Sequence, residues 1–383
     1  MDPDYDVTQD FPKSLRIYLN NASSSLMPVS SIKATADFLL EYNEKGPDSK
    51  HSEEFINELL RRARKTISKL IRCEPEEVVF NQSTTDGVNL VASGLRLRPE
   101  SNIIIRDSVH EHHSNYYPWL RLSKKHQIKN LKIDENGLFD LADLEKLIDD
   151  NTSLVALSHA LYNTGTILPV KEIGRILEEK NIPYFIDSAQ TVGCLEEVSP
   201  DKIKSSFMAF NGSKWLCGPM GIGIFYCNKK SADQLEPLQI AGESAILYDE
   251  NKLAHKDLPD KFQAGFRNYA GIAGLDASVS YLLRYGVLNV RQKNMKLANM
   301  LRDELSKISG ITLYGPEDPA KRTSIVSFTI NNHDPDAVVQ RLEKENIILA
   351  VREIFDKKVI RASPHFFNTD SQILEVIDTL KKM

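Results

Sequence analysis

Tyr184–Gly193 reads YFIDSAQTVG, and Ser205–Cys227 reads SSFMAFNGSKWLCGPMGIGIFYC. The apolar runs YFI, FMAF and GIGIFYC are too short for helices and too continuous for half-exposed strands, so they read as strands buried on both faces. The first run ends on Asp187, and the second is soon followed by Lys214. A lysine beyond a strand end can form an imine with an aldehyde, and an aspartate deep in the same crevice can keep a ring nitrogen protonated.

Outward from this stretch, VVF at 78–80, NIII at 102–105 and LVALSHAL at 154–161 repeat the strand pattern, and helical segments such as LADLEKLIDD and VKEIGRILEEK lie between strands. That alternation predicts an α/β fold whose large, doubly wound, mostly parallel sheet is covered on both faces. EEFINELLRRARKTISKLIR, residues 53–72, places Phe55, Ile56, Leu59, Leu60, Ala63, Ile67 and Leu70 along one helical face. Beyond residue 275 the pattern becomes a long helix near 286–308, a strand TSIVSFTI, a helix PDAVVQRLEKEN, two short strands and a last helix near 370–382. A chain of 383 residues exceeds what one core usually supports. We therefore expect a large α/β domain over 14–275 and a small C-terminal α+β domain over 276–383, with residues 1–30 packing against the small one.

The 48 Lys and Arg against 53 Asp and Glu give a net charge of -5 without a basic stripe, which argues against nucleic acid or a membrane surface as partner. No apolar run reaches membrane-spanning length, and the acidic start MDPDYDVTQDFPK lacks a signal pattern. Four cysteines without CxxC spacing suit a reducing compartment, so the expectation is a soluble cytoplasmic protein with small-molecule chemistry.

In doubly wound sheets ligands gather beyond the carboxyl ends of the strands, which is where Glu111, His112, Asn163, Asp187 and Lys214 fall. NQSTTDGVN, residues 81–89, sets Ser83, Thr84 and Thr85 at a helix N-terminus. Its free N–H groups suit a phosphate, although an ordinary hydroxyl cap fits the same residues. His110, Glu111, His112 and His113 invite a metal, but nothing completes a tetrahedral set, so no metal is expected and one imidazole stacked on a ring is the better role. Arg361, in VIRASPHFFNT, fits a carboxylate fork or a surface ion pair equally well. A nicotinamide dehydrogenase is disfavoured because no GxGxxG occurs, the spacing Gly218, Gly221, Gly223 being reversed; a nucleotide-hydrolysing loop is disfavoured because no Gly precedes a Lys.

Taken together, these motifs resemble the class V aminotransferase and cysteine desulfurase family of fold-type I pyridoxal phosphate enzymes over nearly the whole chain. IYLNNASSSLMP resembles the family's N-terminal strand and turn, which carries Asn21 and Ala22 over as substrate-binding positions. By the same resemblance STTDGVNLVASGL is the phosphate-cup helix, with Ser83, Thr84 and Thr85, and EHHSNYYPW supplies the ring-stacking and catalytic histidine, His112. Asp187 binds the pyridine nitrogen, Gln190 the ring hydroxyl oxygen, and Lys214 is the Schiff-base lysine. Asn211 and Ser213 help to hold phosphate, Asn163 or its neighbour Tyr162 touches the cofactor, and Arg361 takes the substrate carboxylate.

The resemblance implies an amino acid substrate and a homodimer with sites near the interface. Several departures set its limits. Desulfurases of this family carry a nucleophilic Cys shortly before the carboxylate-binding Arg, whereas no Cys follows Cys227 here. Ser213 stands where many members have His, Phe266 where a partner subunit often offers Thr, and KWLCGP is one residue longer than the usual desulfurase stretch, closer to epimerase-like and lyase-like branches. The expected function is a class V aminotransferase or carbon–sulfur lyase. The alternatives are a selenocysteine lyase or cysteine desulfurase without the loop Cys, an amino-acid epimerase, and a degenerate protein that only binds.

Overall fold

The computed structural model describes residues 5–107, 111–249 and 251–383. Its central sheet has seven strands in the order Val78–Asn81, Gly223–Cys227, Phe207–Asn211, Tyr184–Asp187, Thr152–Ser158, Asn102–Arg106, Gln127–Leu131. Gly223–Cys227 runs antiparallel to both of its neighbours, and every other pairing is parallel. The doubly wound, mostly parallel α/β architecture is therefore present.

Continuous apolar runs are explained by two cores. Val155, Leu157, Ile186, Met208 and Phe210 pack into one, with Leu59, Ala63 and Ile67 from the helix Lys50–Ile71. Leu154, Ala156, Phe185, Phe207 and Ala209 pack into the other, with Val88 and Val91 from the helix Thr84–Gly94 and with Trp119. Alternate residues of one strand thus serve opposite faces, and no position is left for a solvated side chain.

The helix Lys50–Ile71 begins a turn before the expected 53, because Ser49 and Ser52 close a capping box: the Ser52 N–H donates to Ser49 Oγ at 3.2 Å and the Ser49 N–H to Ser52 Oγ at 3.0 Å. It stops at Arg72, which is left-handed at φ 57. Several elements went unread in the sequence, among them the helices Val29–Glu44 and Tyr269–Tyr285, the strand Ile311–Tyr314 and two further features. Gln127–Leu131 is an edge strand whose mostly polar residues face solvent, and the hairpin Ala245–Asp249 with Lys252–His255 stands alone.

A second, antiparallel sheet, ordered Ile311–Tyr314, Val326–Ile330, Lys357–Ala362, Ala350–Ile354, is covered by the helices Val287–Ser306 and Asp370–Leu380 around Leu297, Leu301, Phe328, Ile360 and Ile377. Ile17–Tyr18 pairs in parallel with Ile347–Ile348, and Ile17 and Leu19 join this core. The helix Tyr269–Tyr285, through which the expected boundary at 275/276 passes, packs on the helices Val29–Glu44 and Lys50–Ile71. Gly286, at φ 97, then turns the chain into Val287–Ser306. Among the described residues no helix is long and apolar enough to cross a membrane.

Gly223 lies beside the turn that opens the helix Thr84–Gly94, and a Cβ there would meet Asn81 Oδ1 at 2.1 Å and Ser83 N at 2.5 Å. Gly223→Ala is expected to push this turn away and cost about 1–3 kcal/mol. The check is the urea midpoint, which should fall at an unchanged slope; an unmoved midpoint would mean that the turn gives way freely.

Candidate active site

Asp187 is the last residue of its strand, paired on one side with Ser158 and on the other with Ala209. Lys214 follows the end of the next strand at Asn211, and Thr84 opens the helix that starts just past Asn81. All lie at one carboxyl edge of the sheet. With Ser83, Thr85, His112, Ser114, Ala160, Tyr162, Ala189 and Gln190 they line a narrow cleft of about 100 Å³.

The Asp187 carboxyl is buried, and burial pushes it up to about 6; the Ala189 N–H, which donates to Oδ1 at 2.9 Å, and the charge of Lys214 oppose that rise. Desolvation pushes the half-buried Lys214 amine down to about 8, with Asp187 acting against it and Arg361 and Arg352 adding repulsion. No direct ion pair joins the two groups. His112 is exposed at the cleft mouth, but protein atoms surround its ring. That desolvation, followed by the charges of Lys214, His113, Arg352 and Arg361, pushes the imidazole down to about 4. Its ring meets Tyr162 edge-on at 5.0 Å, and its Nδ1 accepts the Ser114 N–H at 3.2 Å.

Ser83 is a hydroxyl cap, its Oγ accepting the Asp86 N–H at 3.2 Å, and it also borders the cleft. Thr84 Oγ1 is buried with no partner. Asn211 Nδ2 donates to Ser213 Oγ at 3.1 Å, so Ser213 stands one step behind the lining. The amide of Gln190 is fixed at both ends: Nε2 donates to Ala22 O at 3.0 Å, and Oε1 accepts the Trp215 indole N–H at 2.9 Å.

Besides Ser213 and Arg361, which stand behind the lining, three more expected residues do not reach the cleft. Asn163 is drawn away because its Nδ2 donates to Glu353 O at 2.9 Å and its Oδ1 accepts the Thr164 N–H at 2.9 Å; Tyr162 lines the cleft instead. Asn21 donates to Ser363 O at 2.8 Å, and the Ala22 N–H donates to Ser363 Oγ at 3.0 Å, so both stitch the N-terminal segment to the smaller sheet. Glu111 is a buried support: its Oε1 accepts from Ser158 Oγ and from the His112 N–H, and its Oε2 lies 3.6 Å from Arg106. His110 lies outside the described residues. Among the described residues no His, Cys, Asp or Glu cluster could hold a metal.

Arg361 is no surface ion pair. It is 1% exposed, donates to Tyr162 O at 2.7 Å, Ser23 Oγ at 2.6 Å and Asn20 Oδ1 at 3.1 Å, and leaves Nε unpartnered. Arg352, Ser158, Ser114 and Ser23 were not singled out in the sequence. Arg352 sits diagonally across the hairpin from Arg361, since Ala350 pairs with Arg361 and Arg352 with Val359; two arginines flanking a short turn are a signal that could have found it. That turn is only Phe355–Asp356, because Ile354 pairs with Lys357. None of the four cysteines lines the cleft, and Cys217, held against Ser25 Oγ at 3.5 Å, is pushed by burial up to about 12.

The family model for class-V aminotransferases matches residues 17–376. A probable cysteine desulfurase of Methanothermobacter thermautotrophicus is 34% identical, covering 99% of this chain and 97% of its own. Among solved structures, the apo cysteine desulfurase of Thermococcus onnurineus NA1 matches with a TM-score of 0.92 at 28% identity, over 100% of this chain and 98% of that one. The protein C-DES, solved with glycine covalently linked to its PLP cofactor, shares the fold with a TM-score of 0.90 at 22% identity, over 98% and 99% of the two chains.

A Lys214 amine that releases its proton near 8 should react with an amine-directed label with a midpoint near that pH, and Lys214→Met should lack the signal. The folded value lies below the ordinary one of 10.5, so the cost of burying the charge is relieved as pH rises from about 8 towards 10.5. Labelling that rises only at the ordinary lysine value would sink this description.

Proposed function

The chain belongs to the class-V aminotransferase family, and we propose that it is a pyridoxal-phosphate-dependent enzyme that cleaves the carbon–sulfur bond of a cysteine-like amino acid. The large α/β sheet domain and the smaller C-terminal α+β unit have the architecture of the fold-type I enzymes that use this cofactor. The observation that carries the reading is the convergence of Lys214, Asp187 and the partnerless Thr84 hydroxyl on one cleft.

The residues fit the group. A buried carboxyl raised to about 6 for want of a close cation matches a protonated ring nitrogen, which would restore its charge. An orphaned hydroxyl donor at a helix N-terminus matches a phosphate oxygen. Thr84 and Thr85, with Ser83, Asn211 and Ser213 around them, would hold the phosphate, Asp187 the ring nitrogen, Gln190 the ring oxygen, and His112 the ring face. When bound, the cofactor supplies an aldehyde that Lys214 anchors and a ring that draws electrons from the substrate's α-carbon.

With the cofactor bound, Lys214 Nζ would be the group that takes and returns the substrate's α-proton. Its value of about 8 keeps a usable share neutral near pH 7, as a general base requires. Arg361 fixes the α-carboxylate through donors already oriented by Tyr162, Asn20 and Ser23. The absence of a cleft-lining thiol supports release of sulfur without an enzyme-borne persulfide. Exposed apolar side chains on the solitary hairpin, Ile246, Leu247, Tyr248 and Leu253, together with Phe266, support a homodimer. Four unpaired cysteines support a reducing cytoplasm.

L-cysteine added to the holoenzyme should undergo elimination to sulfide, pyruvate and ammonia in equal amounts. Lys214→Ala should lack the yellow absorbance that borohydride bleaches in the wild type and drop turnover by roughly 10²–10⁴-fold. Keto acid without sulfide would establish transamination in place of lysis, and full activity in Lys214→Ala would remove the lysine from the mechanism. Arg361→Lys keeps the charge but not the planar fork, and should raise KM for α-carboxylate substrates about 10–100-fold with a smaller change in kcat.

A further inference from the structure

Ser23 Oγ accepts from two guanidinium groups at once, Arg352 Nη2 at 2.6 Å and Arg361 Nη2 at 2.6 Å, and itself donates to Asn20 Oδ1 at 2.7 Å. Its hydrogen-bonding capacity is then full. Two like charges so close are costly unless anions lie between or beside them. Among the described residues neither arginine has a carboxylate partner: the ion pairs of the chain involve other residues, and the remaining acceptors of this pair are the carbonyls of Val351 and Tyr162 and the amide of Asn20. Arg361 Nε is buried and unpartnered. Arg361 Nη1 donates to the carbonyl of Tyr162, which lines the cleft, and both charges bear on His112 and Lys214, so the pair stands just behind the cleft wall, on the side of the smaller sheet. The Glu111 carboxylate, the other acid near Asp187, is already engaged by Arg106, Ser158 and His112.

One α-carboxylate supplies a single negative charge for two cations. The phosphate position, at the start of the helix Thr84–Gly94, is bordered by hydroxyls and Asn211 and does not use this pair. We infer that Arg352 is a specificity-determining residue that receives a second anionic group on the substrate's side chain, so that the preferred amino acid is acidic or carries an anionic leaving group, while Arg361 holds the α-carboxylate. This rests on the reading of the cleft as an amino acid site. It also agrees with the short Phe355–Asp356 turn: with no thiol to accept the departing group, a cation beside the side chain is what stabilises it as an anion.

The test is calorimetric titration of the holoenzyme with succinate and with butyrate, which lack the amine and so report on anion recognition without chemistry. Wild type should bind succinate about 10–100-fold more tightly than butyrate. Arg352→Gln should bring that ratio to near unity, and Arg352→Lys should retain part of it, which also controls for folding. In parallel, aspartate and asparagine are compared by the change they cause in the cofactor's absorbance, with the loss in Arg352→Gln expected in apparent Kd for aspartate. Equal binding of the two members of each pair by wild type, or a uniform loss for both in Arg352→Gln, would overturn the inference by showing that both arginines clamp one carboxylate. Discrimination by succinate with no response of the cofactor to any amino acid would uphold the anion pair and overturn the catalytic reading; absence of both would overturn the two together.

Discussion

Two opposite charges share one crevice without closing on each other, and the rest of the site is arranged around that restraint. Asp187 is held at the floor by the end of its strand and by the Ala189 N–H, and Lys214 is held at the end of the neighbouring strand. Each loses hydration, so the carboxyl moves up to about 6 and the amine down to about 8. A direct ion pair would cancel both shifts and leave neither group reactive. The parallel sheet enforces the separation, because the backbones of its strands are held apart by hydrogen bonding that no side chain can override.

Much of this was legible before any coordinates. Asp187 follows an apolar run directly, Lys214 and the Ser83–Thr85 turn follow theirs after two or three residues, and in a sheet buried on both faces a polar residue at a strand end has few places to go except the ligand edge. What was not legible depended on partners far away in sequence. Asn163 turns from the cleft because of a carbonyl 190 residues on, at Glu353, and nothing in SHALYNTGT announces which of two adjacent polar residues will be taken. Arg352 depends on Ser23, 329 residues earlier. The strand Gln127–Leu131 escaped because an edge strand facing solvent needs no apolar alternation.

The relatives named as cysteine desulfurases share this chain's length and fold, while the hairpin before Arg361 closes in two residues and no thiol reaches the cleft. A scaffold can keep its cofactor machinery and change how the departing group is received, because the two are built on different sheets: the lysine and aspartate on the large one, the arginines on the small one.

The strand Ile17–Tyr18 is completed by Ile347–Ile348, and Ser23 by arginines still later in the chain. During synthesis the first segment must therefore wait, unpaired, until the strand Lys357–Ala362 has left the ribosome. The sheet bearing Lys214 has its last strand at Gly223–Cys227 and can assemble well before that moment. The contact between Ser23 and Arg352 closes a loop of 329 residues, which places it in the slow, non-local part of folding.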